Sequence, residues 1–319
     1  MALLNETLAM TFEQQQEVRK GVFLALAAYI MWGIAPIYFK TVSSVAALEV
    51  LSHRVVWSFF LLAALLHFSK QWRGVLSVLR TPKKVGFLLV TALLIGANWL
   101  TFIWAINANH MLDASLGYYI NPLINIVLGM LFLGERLRKL QWFAVLLAVI
   151  GVAIQLVVFG SLPIVAFVLA ITFAVYGLLR KKVGVDALSG LFIETLLLVP
   201  VALLYLAWFA DSPTSSMLLN DWHINALLIA AGVITTLPLL CFTGAATRLK
   251  LSTLGFFQYI GPSLMFVLAV LIYGEAFSAD KAITFAFIWS ALLIFTWDGL
   301  GQRRRQNAMV RSAQQAALK

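Results

Sequence analysis

An all-α integral membrane protein is the fold class that this sequence predicts, and composition and segment length carry the prediction. Hydrophobic residues make up 62% of the chain and charged residues only 11%, whereas soluble proteins are about one quarter charged. Ten apolar segments are each long enough to cross about 30 Å of hydrocarbon as a helix. They lie near residues 21–40, 47–68, 86–106, 112–134, 141–159, 161–179, 187–210, 223–246, 252–274 and 281–300.

A repeated motif divides the ten segments into two halves. Tyr-Ile-Asn-Pro at 119–122 returns as Tyr-Ile-Gly-Pro at 259–262, and Gly-Glu at 134–135 returns at 274–275, always 140 residues later. Each half holds five segments, so the second half crosses the membrane in the opposite direction to the first. We therefore expect two inverted five-helix repeats, which are typical of secondary transporters. The predicted divisions are an N-terminal segment at 1–20, repeats at 21–159 and 160–300, and a basic tail at 301–319.

Two weaker matches extend the repeat. A Trp-Gly pair at 32–33 matches a Tyr-Gly pair at 176–177 at an offset of 144, and Glu49 matches Glu194 at 145. Changes in loop length between the copies would account for the drift from 140. Glu194 is accordingly predicted to be the repeat mate of Glu49.

The placement of positive charge predicts the orientation. Of the 23 Lys and Arg residues, 20 fall in alternate loops and in the C-terminal tail, whereas only Lys40 and Lys281 fall at outer ends and Arg54 lies within a helix. Because cytoplasmic loops are enriched in Lys and Arg, both termini are predicted to be cytoplasmic. The formal net charge of +10 thus reflects topology, and no nucleic-acid partner is expected.

Several chemistries lack their residues in this sequence. Cys241 is the single cysteine, and the four histidines have no metal-ligand spacing. No Gly-rich ATP-binding loop and no Ser-His-Asp arrangement can be read. We therefore expect no cofactor, no metal and no enzymatic activity.

Six stretches of the sequence resemble the RarD permeases of the EamA branch of the drug/metabolite transporter superfamily. They are MWG…PIYFK at 31–40, EVLSHR at 49–54, NW…IWA at 98–105, ASLGY at 114–118, YGLLRKK at 176–182 and QYIGP at 258–262. The resemblance covers about residues 20–300. It implies ten helices in two inverted repeats, in the cytoplasmic membrane of a bacterium.

One candidate site is a group of ionisable residues in the second segment. Glu49 and His53 lie four residues apart on one helix face, Arg54 is adjacent, and Trp57 lies one turn beyond His53. Charges inside a membrane are functional candidates because burying them is costly. In one interpretation Arg54 holds an anionic group or Glu49, and His53 exchanges a proton. In the other, all three lie near the outer end of the helix and are hydrated or structural. In the second half of the chain, Glu194 is the corresponding candidate site residue.

A second candidate site is a stripe of small and polar residues in the fourth segment. Asp113, Gly117, Asn121 and Asn125 repeat every four residues, and Gly255, Tyr259 and Ser263 do the same in the ninth segment. Such stripes also serve plain helix packing. Pro122 and Pro262 each remove a backbone hydrogen bond, so two matched broken helices, with helix breaks or hinges at Pro122 and at Gly261-Pro262, are predicted to face a cavity. Its predicted walls are Trp32, Asn98, Trp99, Trp104, Tyr118 and Gln258.

The leading functional prediction is a secondary carrier for a small metabolite or drug that works by alternating access, with protons as a candidate coupling ion. Its partners would be that solute and the lipid bilayer. The alternatives are an integral-membrane enzyme or lipid-handling protein without net solute transport, and a membrane scaffold or receptor. Vesicle transport assays would separate the first class from the others.

Overall fold

The computed structural model describes residues 2–107, 111–160, 164–272 and 279–317, and every regular element in these ranges is α-helical. Helices suit an apolar chain in lipid because they satisfy their backbone polar groups internally. The helices are α1 (Ala2–Thr41), α2 (Ala47–Phe68), α3 (Trp72–Leu79), α4 (Pro82–Asn107), α5 (Met111–Leu133), α6 (Lys139–Phe159), α7 (Ile164–Val183), α8 (Ala187–Trp208), α9 (Trp222–Arg248), α10 (Leu251–Gln258), α11 (Ile260–Leu271) and α12 (Ala279–Ala317).

Nine helices in this described part of the chain are long and apolar enough to cross a membrane, namely α1, α2, α4 to α9 and α12. Large apolar side chains are exposed on their outer surfaces, for example Trp208 and Leu293, as expected of helices that face lipid. The protein is therefore a multi-pass membrane protein. The ninth predicted segment, 252–274, is divided between α10 and α11, and its end at Gly274-Glu275 lies outside the described residues.

The ninth predicted segment is interrupted at Tyr259. The Tyr259 amide donates to the carbonyl of Phe256, three residues back, and α11 begins at the next residue. Pro262 has no amide hydrogen to donate to the carbonyl of Gln258, which favours the interruption. By contrast, α5 runs without interruption through Pro122. The prediction of two matched broken helices is therefore wrong for the fourth segment, because the helix there accommodates the loss of one backbone bond.

Helix starts in the two halves of the chain are separated by a constant interval. The starts of α2, α4, α5 and α6 at 47, 82, 111 and 139 are followed 140 residues later by those of α8, α9, α10 and α12. In this frame Arg54 corresponds to Glu194, and Glu49 corresponds to Ser189. The predicted pairing of Glu49 with Glu194 rests on an offset of 145 and departs from this interval by five residues.

Several helix contacts recur when the two halves are exchanged. Helix α1 packs against α9 and α11, just as α7 packs against α4 and α5. Helix α2 packs against α8, and α6 against α12, so equivalent helices meet each other. A buried apolar cluster joins α1, α2, α4 and α7 to α10, and a second joins α5, α6, α7, α10 and α12.

The repeated Gly-Glu motif has a structural role in its first copy. Gly134 follows α5 with a positive φ of 63°, a conformation in which glycine commonly ends helices. Glu135 then accepts hydrogen bonds from the amides of Leu251 and Ser252 at 2.6 and 2.9 Å, and from the Ser252 hydroxyl at 2.6 Å. A carboxylate at a helix N-terminus is stabilising. The motif thus attaches the end of α5 to the start of α10.

Candidate functional site

A cavity of about 120 Å³ lies among α1, α2, α4, α5, α7 and the α10–α11 break. Eight of the predicted site residues line it, together with Trp32 of α1 and Gly117 of α5, which were also singled out from the sequence. The eight are Arg54, Asn98, Trp99, Tyr118, Asn121, Gln258, Gly261 and Pro262. Both halves of the chain therefore contribute to one enclosed space, and the predicted site residues are partly brought together there.

One face of α1 supplies cavity residues that the sequence reasoning missed. Tyr29, Pro36 and Phe39 line the cavity with Trp32, at spacings of three and four residues that place them on one helix face. The uniformly apolar stretch of α1 at residues 21–39 hid this face. The signal that could have found it is Pro36, a proline inside a long helix. Phe102 of α4 and Leu169 and Phe173 of α7 also line the cavity. They were missed because they are apolar residues inside apolar segments.

Arg54 is the cation of this cavity. Its side chain is only 7% exposed, and its Nε donates to the Thr235 hydroxyl at 2.8 Å. The guanidinium carbon lies 4.7 Å from the ring centre of Trp99 and 5.5 Å from that of Phe39, within the range of cation–π attraction. Among the described residues, Arg54 forms no ion pair with a carboxylate.

Amide side chains connect the helices beside the cavity. The Asn125 Nδ2 donates to Oδ1 of Asn121 at 2.9 Å and to Oε1 of Gln258 at 3.2 Å, which connects α5 with α10. Asn98 Nδ2 donates to the carbonyl of Leu169 and to the hydroxyl of Thr172, both at 2.9 Å, which connects α4 with α7. Asn125 does not itself line the cavity, so it supports the two amides that do.

Two other predicted site residues lie in packing positions. The Tyr259 hydroxyl donates to the backbone carbonyl of Tyr119 at 3.3 Å, and the ring is fully buried. Pro122 faces α10, where a Cβ built on Gly255 would lie 2.8 Å from its carbonyl oxygen. Both residues thus hold α5 close to the broken helix and do not line the cavity.

Glu49, His53 and Trp57 lie together on another face of α2, away from the cavity. Glu49 and His53 are buried, at 0% and 4% exposure, so they are not hydrated at a membrane surface as one interpretation had it. Glu49 Oε2 accepts from the Thr214 hydroxyl at 2.8 Å. Glu49 Oε1, His53 Nε2 and Trp57 Nε1 are buried without a hydrogen-bond partner in the described structure. The predicted group is therefore divided, with Arg54 directed to the cavity and the other three elsewhere.

Glu194 belongs to a buried polar network that is fully partnered on its carboxylate. Its Oε1 lies 3.6 Å from Nε of Arg180 and accepts from the Thr91 hydroxyl at 2.5 Å, and its Oε2 accepts from the Tyr176 hydroxyl at 3.3 Å. The side chains of Arg180 and Glu194 are 0% and 2% exposed. From sequence, Arg180 was counted among the cytoplasmic loop cations, and its burial was missed. The residue that could have indicated the burial of Arg180 is Gly190, since a Cβ there would lie 2.0 Å from Nη1 of Arg180.

Comparison with known proteins agrees with these features. The EamA-like transporter family matches residues 19–157. An "Uncharacterized transporter" of Vibrio cholerae is 73% identical over 286 residues, covering 90% of this chain and 95% of that protein. Protein RarD of Salmonella typhimurium is 62% identical over 291 residues, covering 91% and 99%. A solved crystal structure shares the fold with a TM-score of 0.66 at 20% identity, covering 86% of this chain and 96% of that one.

A multi-pass helical fold, a cavity inside it and transporter relatives over nine tenths of the chain define a membrane transporter as the class. The chain belongs to the RarD permeases of the EamA-like transporter family.

Proposed function

We propose that this protein is a secondary transporter that carries a small metabolite or drug across the bacterial cytoplasmic membrane by alternating access. The observation that carries the proposal is the cavity, because it is enclosed by helices of both halves and holds the buried Arg54. A binding site at the interface of two repeats is what such carriers use.

The proposed architecture is two inverted five-helix repeats, 21–159 and 160–300, with both termini in the cytoplasm. The constant 140-residue interval between helix starts and the exchange symmetry of the packing support it. The broken pair α10–α11 would then be the ninth of ten spans, equivalent to α5. The charge distribution of the loops supports the orientation.

Single cysteines test the orientation in a protein from which Cys241 has been removed. With the proposed topology, cysteines at Ser44 and Leu218 react with an impermeant reagent added outside intact cells, and cysteines at Ser77 and Val183 do not. All four positions lie in short helices, turns or helix ends, and Leu218 is 96% exposed. Labelling of Val183 and Ser44 from the same side would contradict the inverted arrangement.

An aromatic group separates the cavity from the Arg180–Glu194 network, and we propose that it closes the cytoplasmic side. Trp32 and Phe173 line the cavity, and their ring centres lie 5.7 and 4.9 Å from that of Phe242. Phe242 stacks on Tyr176 at 6.1 Å, whose hydroxyl reaches Glu194. Opening this side would require these rings to separate.

Proton coupling is the second part of the proposal. Glu49 and His53 share a helix face, are buried, and each keeps a polar atom without a partner in the described structure. Histidine changes charge near neutral pH, so a buried histidine beside a carboxylate can exchange protons. The alternative is that the pair is a structural network with no part in transport.

The decisive experiment is transport by the purified protein in proteoliposomes. A panel of small solutes is offered with and without an imposed pH gradient, and uptake is compared with efflux. We expect net solute movement that requires the protein and responds to the gradient. Chemical turnover of a lipid without solute movement would contradict the proposal.

A further inference from the structure

We propose that the cavity binds a small organic monoanion, with its carboxylate on Arg54 and an apolar or aromatic body against the surrounding rings. This inference rests on the proposed transport function and specifies the substrate class of the same site.

Arg54 is oriented towards a ligand by the protein. A guanidinium has five N–H donors, and the hydrogen bond from Nε to Thr235 uses one of them. The four donors on the terminal nitrogens have no hydrogen-bond partner among the described residues. The guanidinium carbon lies over the rings of Trp99 and Phe39, which are not hydrogen-bond acceptors for the four donors, so these donors remain for a ligand. The edge of a guanidinium matches a carboxylate in a two-bond geometry.

The charge of the cavity selects the charge of the ligand. Its described lining contains Arg54 but no Asp, Glu or Lys. A buried cation without a counter-ion is costly in a medium of low dielectric constant, and an anionic ligand removes that cost. A zwitterion would bring an ammonium group that lacks a carboxylate partner in this lining. Asp113 lies one helical turn before Gly117 in α5, and its side chain is outside those described, so it is included in the test below.

The walls and the volume select the body of the ligand. Besides Arg54 and three amides, the lining is mostly aromatic and aliphatic, with Trp32, Trp99, Phe102 and Tyr118 prominent. A cavity of about 150 Å³ accommodates benzene, so about 120 Å³ suits a body of that size or slightly smaller. A single apolar ring or a short branched chain fits, whereas a dianion such as inorganic phosphate would leave one charge unpaired.

Three ligands of one shape and different charge test the inference on the unmodified protein. Benzoate, benzamide and benzamidine carry charges of −1, 0 and +1 on nearly the same skeleton. Binding is measured by calorimetry with protein in nanodiscs of zwitterionic phosphatidylcholine. We expect benzoate to bind at least about tenfold more tightly than the other two, as one good charge-assisted contact gives. Equal binding of all three, or a preference for benzamidine, would overturn the inference.

Variants of Arg54 test whether this residue causes the preference for benzoate. Arg54→Gln is expected to remove the advantage of benzoate over benzamide, and Arg54→Lys to keep part of it, because charge remains while the planar edge is lost. Arg138→Gln is the matched control, since Arg138 pairs with Asp298 away from the cavity. If Arg54→Gln does not fold, Arg54→Lys and the three ligands still decide the matter. A benzoate advantage that persists in a folded Arg54→Gln protein would overturn the inference.

Phenylalanine and 3-phenylpropionate separate a zwitterion site from a monoanion site. We expect the monoanion to bind more tightly to the unmodified protein and to Asp113→Asn. A preference for phenylalanine that Asp113→Asn abolishes would overturn the inference, because a carboxylate would then complete the site.

Transport is measured separately, by counterflow in vesicles, so that the two proposals can fail independently. Arg54-dependent binding of monoanions without any movement of solute would leave the site inference standing and contradict the transport function. Transport of a neutral or cationic solute at a rate unchanged by Arg54→Gln would leave the transport function standing and contradict the site inference.

Discussion

The buried charges of the two halves differ in how they are neutralised. In the second half Arg180 and Glu194 form an ion pair inside the protein, and the carboxylate also accepts from Thr91 and Tyr176. In the first half Arg54, which lies 140 residues before Glu194, faces a cavity and has no carboxylate partner among the described residues. The buried charge of the second half therefore joins helices, whereas that of the first half lies at the cavity where we propose that a ligand binds.

With the two repeats and the ligand site proposed above, the difference indicates how a duplicated unit acquires a site. A binding site for an asymmetric solute cannot be built from two identical halves. Each half buries a cation. In the second half a carboxylate of the protein compensates the positive charge, whereas in the first half its compensation is left to the contents of the cavity. We therefore expect mutations around Arg54 in the first half to alter function, and mutations of Arg180 or Glu194 in the second half to alter stability.

The largest effect is expected for Glu194→Gln. Loss of the carboxylate leaves Arg180 buried and uncompensated, which costs about 3–5 kcal/mol of unfolding free energy. The measurement is thermal and denaturant-induced unfolding in detergent. Asp298→Asn is the control, because it breaks the pair with the more exposed Arg138 and should cost less than about 1 kcal/mol. Equal losses in the two variants would remove the distinction between the clusters.

Gly190→Ala is expected to destabilise by about 1–3 kcal/mol, the usual cost of overpacking. The added Cβ would lie 2.0 Å from Nη1 of Arg180, so the guanidinium would have to leave Glu194. Gly86→Ala is the matched control in α4, where a Cβ meets nothing within 4 Å. That control should be neutral or stabilising, since alanine favours helix over glycine. The measurement is again the midpoint of unfolding, and a stable Gly190→Ala protein would contradict the tight enclosure of Arg180.

The sequence was sufficient for the fold class and for most helix positions. Segment 47–68 is bounded as predicted, because length and apolarity alone define a membrane helix. It was not sufficient for the pairing of charges, since Arg180 of α7 and Glu194 of α8 meet only in the tertiary structure, where both helices pack against α4. The same limit applies to the α1 face of the cavity. In the sequence, Tyr29 and Phe39 cannot be distinguished from residues that face lipid. Only the tertiary structure shows that they line the cavity.

Pro262→Ala should slow transport, whereas Pro122→Ala should not. Alanine at 262 supplies an amide hydrogen for the carbonyl of Gln258, and one such bond contributes about 1 kcal/mol. If the break at Tyr259 must move during alternating access, that stabilisation lowers the rate about fivefold. Helix α5 is already continuous at Pro122, so its variant should change the rate less than about twofold. Counterflow rates in vesicles measure both, and equal slowing by the two variants would contradict the special role of the α10–α11 break.

The smallest effect, and the most specific, is expected for His53→Gln. If the first half is the one left open for function, its titratable group should set the pH response, because imidazole changes charge between about pH 5 and 8. Glutamine keeps a polar side chain of similar size but does not titrate in this range, so the pH dependence of transport should flatten while the protein stays folded. The measurement is the initial rate in vesicles with equal internal and external pH, taken across that range. Trp57→Phe is the control, since it removes another unpartnered buried nitrogen from the same helix face without removing a titratable group, and it should keep the pH profile. A wild-type profile in His53→Gln would exclude His53 from proton exchange, and Glu49 and His53 would then be part of the packing of α2, as Arg180 and Glu194 are part of the packing of α7 and α8.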